Sequence, residues 1–272
     1  MQKQQYSKSF YVMVVLIVLL LAAAVIAPVF APNDPYATDI TRTLEGPSAD
    51  YPLGTDPLGR CVLSRILYGA QVSIFASLAI VLIVFCVGTV IGVIAGYAGG
   101  VVDKILSKII TIIQAFPQMI LAIAIAGVLG IGIGHTILAL SLIGWAQYAR
   151  VARSLTLGIK GRTYIQAAKI CGESPLKILF RHVIPSVVPP LVVNASIGIS
   201  TMIMEVASLS YLGIGVQSPM AEWGAMMNTG KDYMQTDVAL VLIPGMAILM
   251  VSIVFNLFGE KLRDVLTRPT AR

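Results

Sequence analysis

From Ile109 to Ala149 the chain runs for 41 residues without an Asp, Glu, Lys or Arg. Crossing a bilayer takes about 20 mostly apolar residues, so this stretch is long enough to cross twice. Gly127, Gly130, Gly132 and Gly134 fall inside it beside His135. Glycines punctuate helices, and we read two spans joined there by a tight turn, with His135 as an interfacial residue rather than a gate or metal ligand. Four further apolar runs, Phe10–Ala31, Ile74–Ala98, Val183–Met204 and Val238–Gly259, bring the expected total to six. The chain is therefore expected to be an all-α membrane protein with six transmembrane helices. Hydrophobic residues make up 57% and charged residues 12%, against roughly 25% charged in soluble domains. A β-barrel would need many short alternating segments instead of continuous runs. Phe10–Ala31 could also be a cleaved signal peptide, but its apolar core of about 18 residues exceeds the usual 7–15.

The net charge of +6 is explained by position, not by nucleic-acid binding. With both termini and the second-to-third and fourth-to-fifth connections in the cytoplasm, 15 of the 19 Lys and Arg lie inside. Only Arg42, Arg60, Arg65 and Lys231 lie outside. That asymmetry supports an N-in, C-in orientation. It implies a cytoplasmic N-terminus (residues 1–9) and a single transmembrane domain (residues 10–272). Within that domain lie an extracytoplasmic loop (32–71) and a basic cytoplasmic segment (150–182). In the loop, Ser64 to Tyr68 reads as a surface helix. Three cysteines in three settings, Cys61, Cys86 and Cys171, form neither a disulfide framework nor a metal cage.

Gly88, Gly92 and Gly96 recur every four residues, a small-xxx-small pattern that lets another helix approach closely. Packing within the chain and packing against a second subunit fit it equally. The basic segment is more specific. Tyr164, Ala167, Ala168 and Cys171 share one helix face. Gly172 suits the left-handed position just past a helix end. Ser174 is an N-cap candidate, and Pro175 fits the first helical position. In the second helix Leu176, Leu179, Phe180 and Val183 line one face, and Lys177 and Arg181 stand four apart on another. Two helices with a glycine joint make a stiff unit, as force transmission requires. A DNA-binding helix-turn-helix fits poorly, because both ends enter the membrane within a few residues.

Here the segment resembles the coupling loop of binding-protein-dependent ABC importer permeases, with Gln166-Ala167-Ala168, Gly172 and Pro185 filling the pattern. Gln166 stands where that family usually has Glu, which shifts a contact there from ion pairing to hydrogen bonding. Further stretches are similar to the second permease subunit of dipeptide, oligopeptide and nickel importers. They are Gly54-Thr55-Asp56-Pro57-Leu58-Gly59-Arg60, Ser64-Arg65, Ala115-Phe116-Pro117, Tyr148-Ala149-Arg150, Ser208 to Val216, Glu222-Trp223-Gly224 and Phe255 to Gly259; Cys61 replaces a common Asp. The resemblance implies the type I importer permease architecture in a bacterial inner membrane. It also implies a second, different permease chain, two cytoplasmic ATPase subunits carrying ATP and Mg, and an extracytoplasmic substrate-binding protein, with lipid around the spans. It assigns ATPase coupling to Tyr164, Gln166, Ala167, Ala168, Gly172, Ser174, Pro175, Arg181 and His182.

No Gly-x-x-x-x-Gly-Lys-Ser/Thr loop occurs in the sequence, so the chain itself is not expected to bind or hydrolyse ATP. Alternating access driven through the coupling helices is the expected mechanism. The other transport class, an ion-gradient-driven secondary transporter, more often shows paired intramembrane carboxylates or broken helices. A membrane enzyme would need a catalytic constellation that two separated histidines and scattered acids do not supply. Glu205 is the one carboxylate near the middle of an apolar stretch and reads either as a pathway contact for a cation or amine or as a structural group. Met202 and Met204 stand beside it, with Met220, Met226 and Met227 further on, as soft pathway ligands or as packing. The short N-terminus, the compact length and the run Trp145 to Arg150 lean toward a nickel or metal-chelate cargo, with di- and oligopeptides as the other reading.

Overall fold

In the computed structural model, which describes residues 8–267, the fold is built from ten α-helices with short 3₁₀ turns between some of them. They are α1 (Lys8–Ile26), α2 (Val62–Ala98), α3 (Gly100–Ala115), α4 (Gln118–Leu129), α5 (Ile133–Lys160), α6 (Thr163–Ile170), α7 (Pro175–Ile178), α8 (Ile184–Tyr211), α9 (Trp223–Gly230) and α10 (Ala239–Thr267). No strand occurs among the described residues. Most of the expected cytoplasmic N-terminus, with Lys3, and the tail residues Arg268 and Arg272 lie outside the described residues.

Among the described residues four helical stretches are long and apolar enough to cross a membrane. They run over Ser9–Phe30, Val62–Ala98, Pro175–Tyr211 and Ala239–Leu266. The α3–α4 pair makes a fifth if it is one span bent by 89°. The remaining expected span is α5, 28 residues long but interrupted by Gln147, Arg150 and Arg153. It lies in the middle of the bundle, with α2 and α8 against it.

Three expectations are corrected. The third apolar run is not one straight helix, because Phe116 is extended (φ −91°, ψ 141°) ahead of Pro117. The residue before proline is pushed out of the helical region and proline offers no N–H, so the chain turns sharply and a broken helix results. Ser64 to Tyr68 is not a separate surface helix but the first turns of α2, whose 37 residues span about 55 Å at 1.5 Å each. Arg65 is tolerated there because its guanidinium is satisfied by protein: Nη1 donates to Pro35 O at 3.0 Å and Pro219 O at 3.2 Å. Finally, the fifth run does not end at Met204. Helix α8 continues to Tyr211, so Glu205 lies inside it.

The glycine stripe settles on packing within the chain. A Cβ on Gly92 would lie 2.3 Å from Ala149 O and 2.7 Å from Ala152 Cβ. At Gly88 it would lie 2.5 Å from Tyr148 Cβ, and at Gly96 2.7 Å from Thr156 Cβ. Helices α2 and α5 therefore touch backbone to backbone. Ala146, Ala149 and Ala152 are fully buried in that seam, and close contact of small residues is what holds helices together in lipid. The α4–α5 break falls where expected, with Gly130 (φ +92°) and Gly132 (φ +137°) between the helices.

Candidate functional site

The basic stretch divides at Gly161: Arg150 to Lys160 is the end of α5, and the helix–joint–helix unit proper begins at Thr163. Its joint closes by local chemistry. Gly172 has φ +79°, the Gly172 N–H donates to Lys169 O at 3.0 Å and the Glu173 N–H to Ala168 O at 3.1 Å. This is the Schellman pattern, which returns hydrogen bonds to the last carbonyls of a helix. Ser174 then caps α7, its hydroxyl accepting from the Lys177 N–H at 3.4 Å, and Pro175 takes the first position. A single π-helical turn, Leu179–Val183, merges α7 into α8, so the second half of the unit is rigidly continuous with a membrane helix.

Glu173, to which the sequence reading gave no role, ties the unit together. Its carboxylate lies 3.3 Å from Lys177 Nζ, 3.1 Å from His182 Nε2 and 4.0 Å from Arg181 Nη1. The i+4 spacing to Lys177 was a visible signal; the contact with His182 was not, because it needs the π turn. Partial burial of Glu173 opposes ionisation, but the hydrogen bonds and charges of His182 and Lys177 outweigh it and hold the carboxyl below its ordinary value. The Tyr164 ring stands 6.3 Å from that of His182, and Gln166 Nε2 donates to Lys160 O at 3.4 Å.

The unit is seated on the bundle through Ile165, Ile178 and Val183. All three are buried with Val93 of α2, Ala152 and Ile159 of α5 and Val187 and Leu191 of α8. Burying an aliphatic side chain contributes about 1.5–3 kcal/mol, so these three hold both halves firmly. The opposite side is open. Of the first predicted face, Tyr164, Ala167 and Cys171 are exposed and Ala168 is half-buried. The second predicted face is split: Val183 faces the core, whereas Leu176 (68%) and Phe180 (66%) are exposed, as is Ile170 (87%). A rigid helical unit thus presents large apolar side chains outward among basic ones.

The pathway residues are spread out. Glu205 is half-buried, and both its oxygens accept from Gln118 Nε2, at 2.9 and 3.0 Å. That contact joins α8 to the first residue of α4, just past the Phe116–Pro117 bend. Met204 is exposed, while Met202 is buried among Val84, Leu140 and Ile143. Met226 belongs to the core around Trp223, so the methionines do not converge on Glu205.

At the other end of the bundle, motifs far apart in sequence meet. Asp56 Oδ2 takes Arg60 Nε at 2.7 Å and Arg65 Nε at 3.5 Å, and Arg60 Nη1 donates to Ser218 Oγ at 3.0 Å. Both arginines are almost completely buried. Beside them Glu222 is fully buried, accepting from Ser73 Oγ at 3.0 Å and the Ala225 N–H at 2.9 Å. Trp223 Nε1 donates to Ile66 O at 3.1 Å. The loop before α2 and the loop before α9 are thereby locked to one another.

Comparison with known proteins identifies the class. The family described as binding-protein-dependent transport system inner membrane component matches residues 88–268, and the chain belongs to it. It is a membrane-embedded permease component of an ABC importer. A probable D,D-dipeptide transport system permease protein of Escherichia coli K12 is 39% identical over 242 residues, covering 89% of this chain and 81% of that protein. The nickel transport system permease protein of the same organism is 37% identical over 233 residues, 86% and 84% of the two chains. A glutathione transport system permease protein of Pectobacterium atrosepticum is 39% identical over 228 residues, 84% and 76%. Among solved structures, an inward-facing MetNI methionine ABC transporter contains a chain of the same fold. Its TM-score is 0.56 at 20% identity, covering 72% of this chain and 94% of that one. The type I importer permease architecture is thus shared.

Proposed function

We propose that this chain is one of two permease subunits of an ATP-driven importer for di- or oligopeptides, nickel or a metal chelate. It would pair with a second permease chain, two cytoplasmic ATPase subunits holding ATP and Mg, and an extracytoplasmic substrate-binding protein. In this reading both termini and the 163–183 unit are cytoplasmic, and the Asp56–Arg60–Arg65 and Glu222 cluster faces the binding protein. The names of the relatives, which cover dipeptide, nickel and glutathione transport, support the range of cargo.

The observation that carries the reading is the 163–183 unit itself. It is seated on α2, α5 and α8 by Ile165, Ile178 and Val183, and it turns Tyr164, Ile170, Leu176 and Phe180 outward. An ATPase groove would take up those side chains, with Arg181 and Lys177 at its rim and Gln166 contributing hydrogen bonds instead of a charge. Closure of the ATPases on ATP would then move α5 and α8 as levers and reopen the bundle by alternating access. On this account Glu205 and Met204 border the route, and Met202 supports it from behind.

Ala168→Pro tests this. It removes the Ala168 N–H from α6 and sets the ring against the preceding turn, which costs about 3 kcal/mol. The chain should still reach the membrane, yet lose co-purifying ATPase subunits and ATP-driven, ionophore-insensitive uptake. Retention of both would rule out docking through this unit.

A further inference from the structure

Helix α4 is a short rod with a break at either end. At its start Phe116 is extended and Pro117 follows, setting α4 at 89° to α3. Proline lacks the N–H that would continue the helical ladder, so the chain is free to turn there. At the far end Gly130 and Gly132 hold φ +92° and +137°, backbone in which a helix stops. The side chains that α4 buries completely are Ala122 and Ala126, with Leu140 and Ile143 of α5 beside Ala122. Alanines interlock little with their neighbours, which suits a helix that slides on another in a shear motion.

The two sides of the first joint are fastened to different helices. Helix α3 is fixed to α5: Arg153 Nη2 donates to Asp103 Oδ2 at 2.7 Å, and Ile110 is buried with Ala146 and Ala149. The start of α4 is fixed to α8, because Gln118 Nε2 donates to both oxygens of Glu205, a charge-assisted contact stronger than a neutral one. At the far joint α4 has only a backbone bond, Gly132 N–H to Gly215 O at 3.2 Å. Helix α8 itself continues from the 163–183 unit through the π turn. A helix broken inside a membrane leaves its last carbonyls without partners, which is tolerated only where protein or water covers them. Phe116 and Pro117 are exposed on this chain, so the joint faces the second permease and the route between the chains, not lipid. We infer that α4 is a strap that α8 carries about the Phe116–Pro117 joint, with Gln118–Glu205 as its tie. Relative movement of α5 and α8 is taken up at that joint and swings α4 beside the route. Gln118 is thus a positioning residue, not a solute ligand.

This rests on the importer reading, and electron–electron double resonance distinguishes the failure of one from the failure of the other. Spin labels on p-acetylphenylalanine are placed in the assembled importer in lipid nanodiscs. One pair, at Val101 and Val128, reports α3 against α4; a reference pair, at Val101 and Ser208, reports α3 against α8. All three positions are exposed. Distances are measured without nucleotide and with ATP trapped by vanadate. A swing of about 10° moves the far end of α4, 12 residues long, by about 3 Å at 1.5 Å of rise per residue. The Val101–Val128 distance should shift by at least that much on trapping, and the reference pair should shift as well. In Gln118→Met the reference shift should persist while the Val101–Val128 shift falls below half. Gln118→Met combined with Glu205→Met, which leaves no partner unsatisfied, should behave the same way. Glu205→Gln, which keeps an acceptor for Gln118 Nε2, should retain the shift. A Val101–Val128 distance unmoved by trapping beside a moving reference pair, or more than half the shift surviving in both methionine variants, would overturn the inference. A reference pair indifferent to nucleotide would count against the importer reading itself, and the strap would fall with it.

Discussion

Replacing Gly172 with alanine isolates the joint from every other interaction. Gly172 holds φ +79°, and a Cβ built on it would meet nothing within 4 Å. The cost is therefore conformational, not steric: an L-residue in the left-handed region costs about 1–2 kcal/mol. At about 1.4 kcal/mol per factor of ten, the closed joint should be depopulated about 5- to 30-fold. The amides that report this are those of Cys171, Gly172 and Glu173, bonded to Ala167 O, Lys169 O and Ala168 O at 2.9, 3.0 and 3.1 Å. Their hydrogen-exchange protection in the detergent-solubilised chain should fall by that factor, while the core of α2 is unchanged. Gly172→Asn should fall less, because asparagine tolerates the left-handed region. If Ala and Asn were both silent, or Asn worse than Ala, the joint would not depend on left-handed geometry and its stiffness would have another origin.

Gly92→Leu should force α2 and α5 apart, because a Cβ there already lies 2.3 Å from Ala149 O. Overpacking of this kind costs about 1–3 kcal/mol, readable as a lower thermal-shift midpoint, with the exposed Val90→Leu as an unaffected control. Asp56→Ala leaves Arg60 and Arg65 buried without their carboxylate, which should cost about 3–5 kcal/mol. Limited proteolysis of the loop before α2 would show it, and an unchanged digest would refute the lock. Glu173, whose folded pKa is depressed, contributes stability present above the unfolded carboxylate value of about 4.3 and lost as pH falls through the lower folded value. Exchange protection across Glu173 to His182 should drop over that acid window, and Glu173→Gln should be weaker at neutral pH and insensitive there. A wild-type profile flat below pH 5 would contradict the network.

What could be read in the sequence was whatever is decided within a few residues. Gly172, Ser174 and Pro175 act through their own backbone or through neighbours, and each does in the structure what its chemistry suggested. Gly130 and Gly132 likewise break the chain where expected. The Phe116–Pro117 bend was equally local and was visible in the proline rule, but the absence of charge from Ile109 to Ala149 dominated the reading. Contacts that depend on distant chain were not legible. Arg65 meets Pro219 across 154 residues and Gln118 meets Glu205 across 87, and no local pattern announces either. The same limit split the face of Leu176, Leu179, Phe180 and Val183. Periodicity groups those side chains, but which of them finds the bundle depends on the π turn at Leu179–Val183.

The claim that the 163–183 unit is the handle by which an ATPase moves this bundle is tested most directly by capture in the native membrane. A photo-crosslinking benzoylphenylalanine at Leu176 or Phe180, both exposed, should give one protein adduct whose partner carries a nucleotide-binding sequence. The adduct should disappear in the Ala168→Pro background. Adducts only to lipid or to the extracytoplasmic binding protein would place this unit elsewhere and contradict the account.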